Sequence, residues 1–236
     1  MEDVLYRGFQ YLSRYNGWIA WNLFLAFIPL CLSFILFRRS SILIRGSATP
    51  ARLSPFRSRS DRNTTPPRSV AWWILLVVYG AFLPNAPYVL TDIIHLIQAT
   101  WATPSVWVIT LFYIPLHLGA IALAFGAYVV SLINQSAYLR RGGLKQYIFG
   151  VELLTHSLCA VGIYLGRFVR LNSWDLVTDP HNVLLATLND LTGKRPLAVI
   201  LATVLILTVM YWVMKQVTIG LLLRFRELRN DQHTFD

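Results

Sequence analysis

Two short stretches hold most of the side chains that could do chemistry. FLPNAPYVLTDIIHL, residues 82–96, sets an asparagine, an aspartate and a histidine among two prolines at the end of an apolar run. LGRFVRLNSWD, residues 165–175, carries two arginines, a tryptophan and an aspartate. Asp92 and His95 are three residues apart and so share one face of a helix. A carboxylate beside an imidazole in a partly desolvated pocket can move a proton, and these two are the candidate catalytic residues. Arg167 and Arg170 are likewise three apart, and two forked guanidiniums suit a phosphate or carboxylate better than lysines would. Trp174 is four beyond Arg170, placed to stack on its guanidinium. Asn85 offers donors and acceptors together, and Asn172, Ser173 and Asp175 form a turn-like run. Asn85, Arg167, Arg170, Trp174 and Asp175 are therefore the candidate ligand-binding residues.

Each residue also has a plainer reading. Thr91 or Asp92 can cap a short helix over 92–99, His95 can rest at a membrane interface, and the prolines can simply shape a turn. The arginines can reach lipid phosphates while Trp174 sits in an aromatic belt. Three further polar residues, His117, Glu152 and His156, lie inside apolar runs, where ionisable groups are costly and usually functional. Antiparallel helices would bring His117 and His156 to similar depth. Their spacing matches no metal signature such as H-E-x-x-H, so no metal site is assigned. Hydrogen bonding between helices is the commoner use of such groups.

The elements that must position these residues follow from composition. The chain has 236 residues, of which 56% are hydrophobic and 14% charged. Its mean hydropathy is +0.52. A soluble domain carries roughly 25% charged residues. About 20 apolar residues span a hydrocarbon core, and five stretches qualify: Gly17–Phe37, Val70–Pro87, Val106–Asn134, Phe149–Val169 and Leu197–Leu223. The fold class is therefore all-α, a polytopic transmembrane bundle of about five spanning helices plus short interfacial helices. The first run is too long for a signal peptide and is followed by FRRSS, a basic stop. Cys31 and Cys159 both fall inside spans, so no disulfide framework or cysteine metal site is expected.

Four parts follow: an N-terminal segment with the first span (1–37), a basic loop (38–69), a four-helix core (70–223) and a tail (224–236). The loop holds eight arginines among serine, threonine and proline, with no apolar periodicity, and reads as disordered. Its partners are expected to be anionic lipid headgroups. Nucleic acid is not an expected partner, because aromatic stacking residues are absent apart from Phe56. With five spans, that loop shares a side with Arg140–Lys145 and with the tail's Arg224, Arg226 and Arg229. The positive-inside bias then places the N-terminus outside and the C-terminus in the cytoplasm. It also puts both polar stretches on the outer, charge-poor side, where the bias gives no reason for Arg167 and Arg170. Pro84 and Pro87 should unwind the second span there, with Ala86 biased to an extended shape. After the fourth span, Asp179-Pro180 is a helix start, and Val183, Leu184, Leu188 and Leu191 follow at helical spacing.

FLPNAPYVLTDIIHL and GIYLGRFVRLNSWDL together resemble a family of multi-pass bacterial membrane proteins known only as a domain of unknown function. The likeness spans roughly residues 70–223, the first span and basic loop being more generic. Members often carry Trp-Tyr-Asp where this chain has Trp107, Val108 and Ile109, so an acidic role there is absent. The resemblance implies a bacterial plasma membrane and two motifs that belong together; it names no reaction and no cofactor.

Three function classes remain. One is an outer-leaflet site that binds or processes an anionic lipid or lipid-linked substrate. A second is a small transporter or permease subunit, for which five spans without an internal repeat would call for a homo-oligomer. The third is a structural or assembly protein in which the polar network fixes helix packing. Nucleotide chemistry is unsupported, since no G-x-x-x-x-G-K-[ST] loop occurs.

Overall fold

A run of apolar residues with too few charges to face water has one economical solution in a bilayer, the α-helix, which satisfies its own backbone. The structure, a computed structural model, describes residues 2–38, 69–102, 105–169, 178–182, 185 and 193–232. Among the described residues there is no strand. Helix α1 runs Glu2–Ser33 and ends in a wider π turn, Phe34–Arg38. Helix α2 (Val70–Phe82) leads into a single turn, α3 (Asn85–Tyr88), then a 3₁₀ turn Val89–Asp92 and α4 (Ile93–Ala102). A short turn α5 (Val106–Val108) and a π segment Ile109–Tyr113 open the long α6, Ile114–Arg141. Helix α7 (Ile148–Tyr164) ends in a π segment Leu165–Val169, and α8 runs Lys194–Gln232.

Five of these runs are long and apolar enough to cross a membrane: Gly17–Arg38, Val70–Trp101, Val106–Arg141, Lys145–Phe168 and Lys194–Phe225. The expected five spans are therefore present. Trp101 and Trp107 are exposed near one end of the bundle, and Trp73 and Tyr147 near the other. Aromatic residues favour both membrane–water boundaries, so their positions suit the two faces of a bilayer.

Helix α6 is central: α1 packs along it, and α8 packs chiefly on α7. The core joins Tyr79, Leu83, Phe125, Tyr128, Cys159 and Leu207 from four of the spans. Fully buried alanines, Ala26, Ala86, Ala124 and Ala160, allow close backbone approach, the usual basis of helix association in lipid. Asn134 donates to Ser33 Oγ at 2.9 Å and Ser33 donates to the Leu30 carbonyl, tying α6 to α1. Arg141 donates to the Phe37 carbonyl and Trp72 Nε1 to the Leu36 carbonyl, which completes the C-terminal end of α1.

The proline stretch behaves differently from the extended break expected for it. Pro84 keeps helical dihedrals (φ −60°, ψ −23°), and Ala86 is helical as well. The reason is that a new helix starts at Asn85, which places Pro87 in a first turn whose N–H groups have no intrahelical partner anyway. The chain thus resets its hydrogen-bond register without leaving helical space. Asn85 Nδ2 donates to the Phe82 carbonyl at 2.9 Å, taking up an acceptor the interruption leaves over, as its amide chemistry suggested. Neither Thr91 nor Asp92 caps as expected. Thr91 Oγ1 donates back to the Tyr88 carbonyl at 2.8 Å, and Asp92 turns toward α1.

The basic loop 39–68 and the segment containing Val183, Leu184, Leu188 and Leu191 lie outside the described residues. Of the predicted surface helix, Asp179 Oδ1 accepts from the Asn182 backbone N–H at 3.4 Å, the contact a helix N-cap makes.

The Pro84 ring of the first polar stretch packs on the backbone at Gly162, three residues before the second stretch. A Cβ built on Gly162 of α7 would lie 2.8 Å from both Cβ and Cγ of Pro84. Neither a pyrrolidine ring nor a helix backbone gives way easily. Gly162→Ala should therefore cost about 1–3 kcal/mol by overpacking, read as a lower unfolding midpoint in detergent. In a double-mutant cycle, Pro84→Gly should return part of that loss; additive losses would separate the two positions.

Candidate functional site

Asp92 lies 22 residues after Val70, Arg167 lies 22 after Lys145, and His117 lies 24 before Arg141. At about 1.5 Å per residue, all three sit roughly 35 Å from the opposite end of the bundle. That is a little more than the ~30 Å of a hydrocarbon core, so they gather near one membrane boundary. Three different spans deliver them there.

Asp92 is 3% exposed, held between α1 and α6. Its Oδ2 accepts from Asn22 Nδ2 at 3.2 Å, while its buried Oδ1 has no hydrogen-bond partner among the described residues. His95, one turn on, meets the Trp18 ring edge to face at 4.8 Å and hydrogen-bonds Gln98. Asp92 and His95 therefore do share a face, and that face looks onto α1. His117, 2% exposed, donates from Nδ1 to the Tyr113 carbonyl at 3.0 Å when that nitrogen carries the proton. Its Nε2 is then the acceptor nitrogen in the neutral ring.

Trp18, Asn22, Asp92 and His117 line a cavity of about 10 Å³, closed by Ile19, Val89, Ala120 and Ile121. That is close to the size needed for one water. A water there can bridge the acid and the imidazole, which is the geometry of a proton relay and too small for an organic ligand. Arg167, half-buried on the terminal turn of the fourth span, acts electrostatically on both Asp92 and His95. Of the candidate residues, Asp92, His95 and Arg167 are thus brought together. Asn85 is spent on the Phe82 carbonyl, one turn away. Arg170, Trp174 and Asp175 lie outside the described residues.

Two site residues escaped the sequence reading, Trp18 and Asn22. The available signal was their spacing of four, which puts the only amide of the first span and an indole on one helix face. His117 belongs to this cluster too, and does not lie level with His156. His156 is only 11 residues past Lys145, roughly 20 Å deeper toward the other end than His117. His117, Glu152 and His156 therefore do not converge, and among the described residues no three histidine, cysteine or acidic side chains group closely enough to hold a metal.

Glu152 and His156 form a second polar centre. Glu152 Oε1 accepts from Lys215 Nζ at 2.6 Å, Ser136 Oγ at 2.7 Å and Tyr211 OH at 2.8 Å. Tyr128 OH and His156 Nδ1 are 2.6 Å apart, buried. This network joins α6, α7 and α8.

A helical multi-pass membrane protein with a polar cluster at one boundary is the class this architecture defines. Residues 21–209 match a family described as a protein of unknown function (DUF1361), and the chain belongs to that family. The match begins in the first span and not at residue 70, so it takes in Asn22 as well as Asp92. No curated protein and no solved structure is significantly similar to the chain.

The Asn22–Asp92 contact yields a stability prediction. Asn22→Ala strips Asp92 of its side-chain amide donor and should cost about 1–3 kcal/mol, the usual penalty for a buried polar group left unsatisfied. Adding Asp92→Leu removes the orphaned acid and should recover most of that loss in the same unfolding titration. A double variant weaker than Asn22→Ala alone would contradict the pairing.

Proposed function

We propose that the chain is a bacterial plasma-membrane protein with its N-terminus outside and C-terminus in the cytoplasm, whose Asp92-end cluster holds an anionic lipid headgroup or lipid-linked phosphate. Arginine distribution supports the orientation, with the basic loop lying against anionic headgroups as a linker between the first span and a four-helix core. The observation carrying the site is Arg167, whose charge falls on Asp92 and His95 at the level where headgroups begin. A guanidinium there can orient an anion. Arg170, Trp174 and Asp175 follow within eight residues of Arg167 in the sequence and are assigned to the same headgroup. Asp92 and His95, with one water's space behind them, are assigned to moving a proton to or from the bound group.

One observation favours a transporter as the second reading: the interruption between Phe82 and Asp92 puts a broken helix beside ionisable residues, as in many substrate sites of transporters. On that reading the chain works as a homo-oligomer. Saturable uptake into liposomes would select it over the binding site.

The test uses the full chain extracted from membranes rich in phosphatidylglycerol and exchanged into neutral-lipid nanodiscs. Wild type should retain phosphatidylglycerol by native mass spectrometry, and Arg167→Gln should hold it about tenfold less well, the loss of one charge-assisted contact. Asp92→Asn and His95→Ala should retain it, since they act on protons. Retention by Arg167→Gln equal to wild type removes the headgroup reading. Orientation is checked separately: with Cys31 and Cys159 replaced, a single cysteine beside Asp92 should label in intact cells with an impermeant thiol reagent. Labelling only after lysis would reverse the topology.

A further inference from the structure

The second polar centre opens sideways. Between α7 and α8 lies a cavity of about 60 Å³ with Glu152, His156, Tyr211 and Lys215 on its walls. Its rim is Phe149, Leu153 and Trp212, which are 70%, 38% and 63% exposed. In a spanning bundle, such exposed apolar side chains face lipid, so the mouth faces acyl chains. One water needs roughly 10–15 Å³ of such space, so the cavity takes several heavy atoms. Glu152 lies 7 residues past Lys145, about 10 Å along the fourth span from its basic end.

The charges decide what fits. Lys215 and Glu152 are an ion pair, their side chains 23% and 14% exposed. A charged headgroup would have to replace one partner and leave the other charge uncompensated in a poorly solvated place, which is strongly unfavourable. A hydroxyl does not break the pair. It can accept one of the two Nζ protons that Glu152 Oε1 does not take, and donate to Glu152 Oε2, which accepts from no described residue. His156 Nε2 is available on the same wall once Nδ1 is engaged with Tyr128. Room for a few atoms, an internally neutral pair and a lipid-facing mouth converge on one ligand class.

We propose that this cavity is a lateral binding site for a neutral amphiphile bearing a hydroxyl group, such as a diacylglycerol or a long-chain alcohol. The hydroxyl lies between Lys215 and Glu152, and the hydrocarbon chain leaves past Phe149, Leu153 and Trp212. The site is independent of the Asp92-end cluster, which it does not touch.

The full chain in phosphatidylcholine nanodiscs would be irradiated with a diazirine-bearing diacylglycerol, and in parallel with phosphatidylglycerol and phosphatidylethanolamine carrying the same acyl chain. The diacylglycerol should label peptides around Phe149–Leu153 and Trp212 about tenfold more than either phospholipid, as expected from two hydrogen bonds gained. Unlabelled diacylglycerol and oleyl alcohol as competitors distinguish a glycerol headgroup from a simple alcohol: suppression by both assigns the hydroxyl alone, and suppression only by diacylglycerol assigns the glycerol. Thr208→Leu fills the cavity without touching the ion pair, at the cost of one intrahelical bond to the Val204 carbonyl. It should abolish the preference with the melting temperature unchanged; Leu153→Trp, which narrows the mouth from the lipid side, should do the same if Thr208→Leu folds poorly. Equal labelling by all three lipids, a preference for either phospholipid, or labelling indifferent to both folded variants overturns the site.

Discussion

A backbone that interrupts its helix inside a membrane must find its hydrogen bonds within the protein, and the interruption at Pro84 arranges much of this bundle. Ala86 N–H bonds the Leu83 carbonyl instead of the Phe82 carbonyl, and the Asn85 side-chain amide takes up the Phe82 acceptor in its place. The restart at Asn85 turns Pro87 from a helix breaker into a first-turn residue. It also lets the 3₁₀ turn Val89–Asp92 rotate the Asp92 carboxylate toward Asn22 of α1. The ring of Pro84 meanwhile fills the space above Gly162. The fourth span is seated against the break by that contact, and Arg167, five residues further along α7, comes within electrostatic range of Asp92 and His95. Local backbone chemistry and the assembly of the cluster are one event here.

The fold class was legible because it depends on run length and composition alone. Five apolar runs in a chain this poor in charge leave little choice, and the runs appear where hydropathy places them. The pairing of the two motifs was legible only in part. Their residue types pointed to a joint site, but Gly162 is what makes them touch, and a glycine in an apolar run looks like any other until its neighbour is known. The shape of the break was misjudged because the rule for residues before proline concerns isolated preference. In lipid, leaving helical space costs unsatisfied backbone groups, and that cost outweighs the local bias at Ala86.

Long-range partners were the hardest to read. Asn22 and Asp92 are 70 residues apart, and Glu152 and Lys215 are 63 apart. Lys215 is half-buried against Tyr211 and Glu152, and that contact depends on α8 lying along α7. His117 and His156 were misgrouped for a related reason. Depth counted from apolar run boundaries ignores that α6 and its preceding turns are longer than one bilayer crossing, which carries His117 to the boundary while His156 stays inside.

The two polar centres differ in how completely they are satisfied, and this difference separates packing from function more sharply than residue type does. Glu152 Oε1 collects three donors from two other helices, and a carboxylate held that way stabilises one arrangement of α6, α7 and α8. Asp92 Oδ1, buried at the boundary beside space for a single water, collects none among the described residues. Buried acids usually acquire partners because the alternative is costly. An acid that forgoes one, a helical turn from His95, is what helix packing alone does not account for. The Glu152 centre therefore owes its interest to the cavity beside it, and the Asp92 centre to the incompleteness of the acid itself.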